Sequence, residues 1–277
     1  MSTMSAMHTP NVKHKVAAIQ MVSTPDVADN IASARRLVAE AAASGATLVA
    51  LPEYWPIMGM SDTDKVGHAE QQGAGPIQDF MAAAAREHHV WLVGGTLPLV
   101  SSDAGKVMNT TLVYDPEGKS AGRYDKIHLF GFSKGDESYD EARTIVAGQD
   151  LALFDAPFGR VGIAVCYDLR FPELFRAMGE CTLMVVSAAF THTTGQAHWE
   201  VLLRARAIEN QCYVLAAAQG GLHRNGRRTF GHSMLIDPWG EVKSLVAEGE
   251  GVAAGEIDGA FLAGVRESLP ALKHRRL

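Results

Sequence analysis

Val161-Gly162-Ile163-Ala164-Val165-Cys166-Tyr167-Asp168-Leu169-Arg170-Phe171-Pro172 is the stretch on which the fold is read. The apolar, partly β-branched run over 161–165 predicts a buried strand. Phe171 to Met178 predicts a helix with Pro172 in its first turn, where a missing N–H costs nothing. Cys166 therefore falls on the turn from strand to helix. A thiol there gains from the positive end of a helix dipole, which favours thiolate, and the Tyr167 amide N–H points the same way as the thiol.

Outward from this turn, strands and helices alternate. Towards the N-terminus, Val16 to Met21 and Thr47 to Leu51 read as strands around a helix from Asp26 to Ala43, with Ile31, Ala34, Leu37 and Val38 on its apolar face. Ile77 to His89 reads as an Ala-rich helix and Val90 to Leu97 as a strand. Asn109 to Tyr114 and Ala121 to Tyr124 flank the Asp-Pro-Glu-Gly turn at 115–118 as a hairpin. Segment 127–150, rich in Gly, Asp, Ser and Glu, reads as a long loop of the kind that builds a site. Towards the C-terminus come strands at 183–187, 213–218 and 231–236 and a helix over Gln196 to Asn210. The Asp-Pro-Trp-Gly turn at 237–240 leads into strands at 241–246 and 251–257.

No linker, repeat or low-complexity tract divides this series. One α/β domain over 1–277 is expected, with 1–14 as a flexible tail and 258–277 as a C-terminal arm that is solvated or contacts another subunit. Two strand-helix halves ending in hairpins suggest two sheets face to face with helices outside.

A chain of 277 residues is long enough to bury roughly 75% of its unfolded surface. Its 47% hydrophobic and 20% charged content is that of a globular protein. A net charge of -6 leaves no basic surplus for neutralising phosphates, so nucleic acid is not expected as a partner. Cys166, Cys181 and Cys212 are odd in number and lack CxxC spacing, which points away from disulfides or a zinc knuckle and towards reduced thiols in the cytoplasm. Cys181 and Cys212 read as packing thiols. Met1 to Lys15 holds no apolar stretch of signal-peptide length and no run elsewhere reaches membrane-spanning length, so no membrane association is expected.

Two further strand exits carry candidate chemistry. Leu51-Pro52-Glu53 delivers a carboxylate beside Tyr54 and Trp55, where desolvation raises a carboxyl pKa towards the range of a general base. Lys126, in Tyr124-Asp125-Lys126-Ile127-His128-Leu129-Phe130, offers a fixed ammonium for an oxyanion. Taken alone, Glu53 reads as an exposed acid and Lys126 as a solvated loop charge. Arg170 either binds a substrate carboxylate or pairs with a neighbour such as Glu173. Phe190, Thr191 and His192, after the strand at 183–187, and Tyr54 supply candidate pocket wall.

With Cys166, these motifs resemble the nitrilase superfamily of carbon-nitrogen hydrolases over nearly the whole chain. The carrying stretches are Leu-Pro-Glu at 51–53, Tyr-Asp-Lys-Ile-His-Leu-Phe at 124–130 and Cys-Tyr-Asp-Leu-Arg-Phe-Pro-Glu-Leu at 166–174. The resemblance implies a four-layer α-β-β-α sandwich, usually paired into a homodimer or higher homo-oligomer, and a Glu53, Lys126, Cys166 triad. It also implies that Glu141 is an accessory glutamate. Stretches 189–200, 202–214 and 231–240 resemble the Nit branch, implying hydrolysis of a small carboxamide to acid and ammonia through a Cys thioester. Deaminated glutathione, or an ω-amide of an α-keto acid, is the substrate so implied.

No metal or organic cofactor is expected for such chemistry. His192, His198, His223 and His232 crowd one half of the chain without HExxH or HxH spacing. Competing readings are a nitrilase or another aliphatic amidase, a Cys–His protease with His128 or His232 as base, and a non-enzymatic scaffold subunit. None of the glycines forms a nucleotide-binding pattern.

Overall fold

A computed structural model describes residues 13–135 and 137–276. Its first half runs β1 (Lys13–Gln20), α1 (Val27–Ala43), β2 (Leu48–Ala50), α2 (Asp64–Gly67), α3 (Pro76–His88), β3 (Trp91–Val93), β4 (Leu97–Val100), β5 (Val107–Tyr114) and β6 (Ser120–Asp125). Next come a hairpin of β7 (Gly131–Lys134) with β8 (Glu137–Asp140), a 3-10 turn at Glu141–Arg143, and β9 (Ile145–Val146). β1, β2 and β3 are parallel, and β5 runs antiparallel to β3 and to β6.

The second half contributes β10 (Leu153–Ala156), β11 (Gly159–Val165), α4 (Pro172–Ala177), β12 (Leu183–Ala188), α5 (His192–Asn210) and β13 (Tyr213–Ala218). β14 (Gly220–Leu222) and β15 (Arg228–Phe230) form a small hairpin, followed by β16 (Ser233–Ile236), β17 (Val242–Val246), β18 (Gly251–Asp258) and α6 (Gly259–Ser268). The second sheet has the order β10-β11-β12-β13-β16-β17, while β18 crosses back to pair antiparallel with β1.

Alternation along the strands builds the layers, because successive side chains point to opposite faces. Val16, Ala18, Leu48 and Ala50 join Val185, Leu215 and Ala217 in the core between the sheets. Ala17, Ile19, Val49 and Leu51 point the other way, against Leu37 and Val38 of α1 and Phe80 and Met81 of α3. On the far side, Trp199, Leu203 and Ala207 of α5 and Phe175 of α4 cover the second sheet. The architecture is the α-β-β-α sandwich implied by the resemblance.

Several sequence expectations are corrected. Val90 to Leu97 is two strands, because Gly95 turns the chain at φ +57° where an added β-carbon would collide with the Pro52 carbonyl. Segment 127–150 is largely structured. β10, β14 and β15 were not expected, and α5 starts at His192 because Thr191 caps it, accepting from the Thr194 N–H at 3.3 Å. A 3-10 turn at Cys166–Arg170 separates the cysteine from α4. Residues 1–12 of the expected tail lie outside the described residues, whereas Lys13 and His14 are strand, paired with Asp258 and Ile257. The arm from 258 carries α6 and a 3-10 turn at Ala271–His274.

Candidate active site

Three strand ends meet at one buried cluster. Leu51 and Pro52 carry Glu53 beyond β2, Lys126 follows the last residue of β6, and Cys166 follows the last residue of β11. Lys126 Nζ donates to Glu53 Oε1 at 2.8 Å and to Glu141 Oε1 and Oε2 at 3.0 and 2.7 Å. Burial disfavours the Lys126 charge, but the attraction of Glu141 and Glu53 outweighs it and holds the ammonium well above the usual lysine range.

The two carboxylates are held differently. Glu141 also accepts from the Tyr54 hydroxyl and the Phe130 N–H, each at 2.7 Å. Burial opposes its ionisation, yet Lys126 and these donors keep its carboxyl below the usual range. Glu53 Oε1 accepts from Asn109 Nδ2 at 3.0 Å, and its Oε2 from the Ala189 N–H at 2.9 Å. The Ala189 amide also faces the Cys166 sulfur, so Glu53 Oε2 and the thiol share one neighbour. Two carboxylates face one ammonium, and Glu53 is the one whose Oε2 lies beside the thiol's own amide neighbour.

Cys166 is 6% exposed and adopts φ +50°, a left-handed conformation that turns its side chain out of the strand path. Burial first, then the Glu53 carboxylate, pushes its thiol well above the usual range, against the pull of Lys126. This corrects the expectation of a dipole-favoured thiolate: α4 has six residues and starts a full 3-10 turn later, too short and too remote to offset desolvation. The resting sulfur is a neutral thiol that needs a base.

Asp168, fully buried, ties two of the strand ends together. Its Oδ2 accepts from the Tyr124 hydroxyl at 2.7 Å and the Val165 N–H at 2.8 Å, and its Oδ1 from the His128 N–H at 3.1 Å. Tyr124 and His128 bracket Lys126, so Asp168 sets the lysine's position relative to the cysteine.

Phe130, Glu141, Cys166, Tyr167, Phe190 and Thr191 line a narrow hollow over the thiol. It shares Phe130, Glu141 and Arg227 with a wider vestibule of about 460 Å³, lined also by Tyr54, Lys65, Glu137, Tyr139 and Thr144. Of the residues read from sequence, Glu53, Lys126, Glu141 and Cys166 converge, and Tyr54, Tyr167, Phe190 and Thr191 wall the space. His192 and Arg170 line neither hollow. The His192 ring meets Phe230 edge-on, and Arg170 lies over Tyr167 and Phe190 with Nη1 3.2 Å from His198 Nδ1, with no ion pair to Glu173. Asn109, Asp168, Lys65 and Arg227 were not singled out from sequence.

The histidines have other partners. His128 stacks on Phe171 with Nδ1 2.7 Å from Asp168, and His232 stacks on Phe230; neither lines the hollow at Cys166. His223 is buried between the Ser23 carbonyl and the Thr229 hydroxyl. Among the described residues, no three His, Cys, Asp or Glu side chains gather as a metal would require.

Fold and site together define an α-β-β-α sandwich enzyme with a cysteine, a glutamate and a lysine at strand ends. The carbon-nitrogen hydrolase family model matches residues 15–267, and the chain belongs to that family. A deaminated glutathione amidase of Synechocystis is 41% identical over 94% of this chain and 97% of its own. The omega-amidase NIT2-A of Xenopus laevis is 36% identical over 95% of both chains. Among solved structures, the Caenorhabditis elegans NitFhit protein superposes with a TM-score of 0.86 at 36% identity, covering 97% of this chain and 66% of that one. Saccharomyces cerevisiae Nit3 gives 0.84 at 29% identity over 96% and 97%. The chain is accordingly a hydrolase of carbon-nitrogen bonds in linear amides.

Proposed function

We propose that the protein hydrolyses a small carboxamide through a Cys166 thioester, with deaminated glutathione or a related ω-amide of an α-keto acid as substrate. The observation that carries this reading is one buried ammonium clasped by two carboxylates beside a neutral, enclosed thiol. The substrate class rests on the likeness to relatives named deaminated glutathione amidase and omega-amidase.

Glu53 takes the thiol proton as Sγ bonds to the amide carbon, and the carbonyl electron pair moves onto oxygen. Lys126 Nζ and the Tyr167 N–H stabilise that oxyanion. On collapse, Glu53 hands its proton to the departing nitrogen, which leaves as ammonia from a primary carboxamide. A water then gives a proton to Glu53 and attacks the thioester; Sγ leaves and recovers its proton from Glu53. Glu141 holds Lys126 in line throughout, a role that fits the four hydrogen bonds it accepts from Lys126, Tyr54 and Phe130.

The protein acts in the cytoplasm as a homodimer or higher homo-oligomer in this reading. Three free, buried cysteines suit a reducing compartment. Exposed Val201 and Ile208 on α5, with Trp239 on the turn that α5 holds through Arg204, give an apolar face for a second subunit. Among the described residues no helix is long and apolar enough to cross a membrane.

Ammonia release from 2-oxoglutaramate and simple aliphatic amides, and acid release from deaminated glutathione, test the reading. Cys166→Ala should lower turnover by about 10⁴-fold or more while shifting stability by no more than about 1 kcal/mol. Undiminished hydrolysis by that variant contradicts the assignment.

A further inference from the structure

Among the described residues, two cations of the vestibule, Lys65 and Arg227, make no ion pair. Lys65, partly buried on α2, lies over the Tyr54 ring at 5.5 Å and makes no ion pair. Arg227, on the turn between β14 and β15, donates from Nη2 to the Ala189 carbonyl at 2.8 Å and lies over the Tyr139 ring at 5.1 Å; it too has no carboxylate partner. Arg227 lines both the vestibule and the hollow at Cys166.

None of the vestibule acids forms an ion pair with either cation, although Asp62 and Glu141 attract Lys65 from a distance. Glu141 is committed to Lys126 and Tyr54, and Glu137 Oε1 accepts from Thr193. Asp140 is exposed and caps Ala142, and Asp62 is exposed at the rim. Enclosed cations without an anion are costly, and such cost is tolerated where a ligand supplies the missing charge. Burial depresses the Lys65 charge, Asp62 and Glu141 partly offset this, and repulsion from Arg227 adds to it.

Unmet hydrogen bonds point into the same space. Arg227 Nε and Thr144 Oγ1, both able to donate, are buried without a partner and both residues line the vestibule; Glu137 Oε2, also unpartnered there, is an acceptor and disfavours an anion on its own side. An arginine fork anchored by one nitrogen, with another free, is suited to a carboxylate.

We propose that Lys65 and Arg227 form a carboxylate-binding subsite that selects amides carrying an anionic group over neutral amides of the same length. The subsite rests on the amidase reading and deepens it: the carboxylate is anchored in the vestibule while the carboxamide reaches Cys166. Arg170, read from sequence for this role, faces His198 instead.

The test compares kcat/KM for succinamate with that for butyramide in the wild type and in Arg227→Gln, Arg227→Lys and Lys65→Met. The ratio should fall at least about 30-fold in Arg227→Gln and about tenfold in Lys65→Met, with partial rescue in Arg227→Lys. Equal loss on both substrates, which a structural role would give, leaves the ratio within about threefold of wild type and overturns the subsite. Calorimetric titration with succinate separates this from failure of the amidase reading. If no amide is hydrolysed, that reading fails, and the subsite stands only if Arg227→Gln weakens succinate binding at least about 30-fold.

Discussion

Lys126 lies between two carboxylates at full burial, so neither sign of charge there survives without the other. Lys126→Met leaves two buried anions unpaired and should cost about 3–5 kcal/mol of unfolding free energy in urea. Adding Glu141→Gln should recover part of that loss, since one uncompensated charge is removed; strictly additive costs would contradict the coupling. Glu53, Lys126 and Cys166 were legible in the sequence because each sits at a strand exit in a distinctive motif, and it was the three motifs together, not Glu53 or Lys126 alone, that marked a site. Asn109 and Arg227 were not. Asn109 is one residue of a strand otherwise read for its apolar pattern, and Arg227 is one of three arginines around a glycine turn. Only tertiary folding singles out which of them turns inward. Glu141 gained meaning only from the family resemblance, because nothing local distinguishes it from Glu137 or Asp140.

Among the secondary elements, turns decide where the functional groups end up. Gly95 separates β3 from β4, and a β-carbon there would sit 2.1 Å from the Pro52 carbonyl and 2.8 Å from Trp55 Cδ1, at a left-handed φ. Gly95→Ala should therefore cost about 2–4 kcal/mol and lower kcat by displacing the segment that carries Glu53. Thermal unfolding and steady-state kinetics check both, and an unperturbed variant would show that the strand ends are not so tightly packed. The long strands and helices were readable from period-2 and period-3.6 patterns. The hairpin of β7 and β8 was not, because its exposed positions carry Gly, Ser, Lys and Asp. Thr191 as the cap of α5 was also missed: His192 to Gly195 lacks apolar spacing, while the capping hydroxyl acts through backbone geometry.

Across the whole molecule, the apolar core enforces neutrality on the groups it encloses. Burial pushes Cys181 up to about 11 and Tyr114 and Tyr213 up to about 12, and raises the Cys166 and Cys212 thiols as well. Raised acid groups give full stability below their unfolded pKa values and lose it as pH rises towards the folded ones. Each enclosed thiol should therefore cost about 1.4 kcal/mol per pH unit above roughly pH 8.5, with the tyrosines joining above roughly pH 10. Calorimetric Tm should fall steadily between pH 8.5 and 10.5, whereas a flat profile would contradict burial of these groups. In the proposed mechanism the same enclosure keeps the Cys166 thiol neutral until substrate and Glu53 draw its proton away. Intact-mass analysis of enzyme quenched during turnover of an amide measures this most directly. Expected is a mass increase equal to the acyl group, mapped to the Cys166 peptide, discharged by hydroxylamine and absent from Cys166→Ala. Rapid turnover with no acyl adduct on Cys166 at any quench time, together with activity in Cys166→Ala, would contradict it.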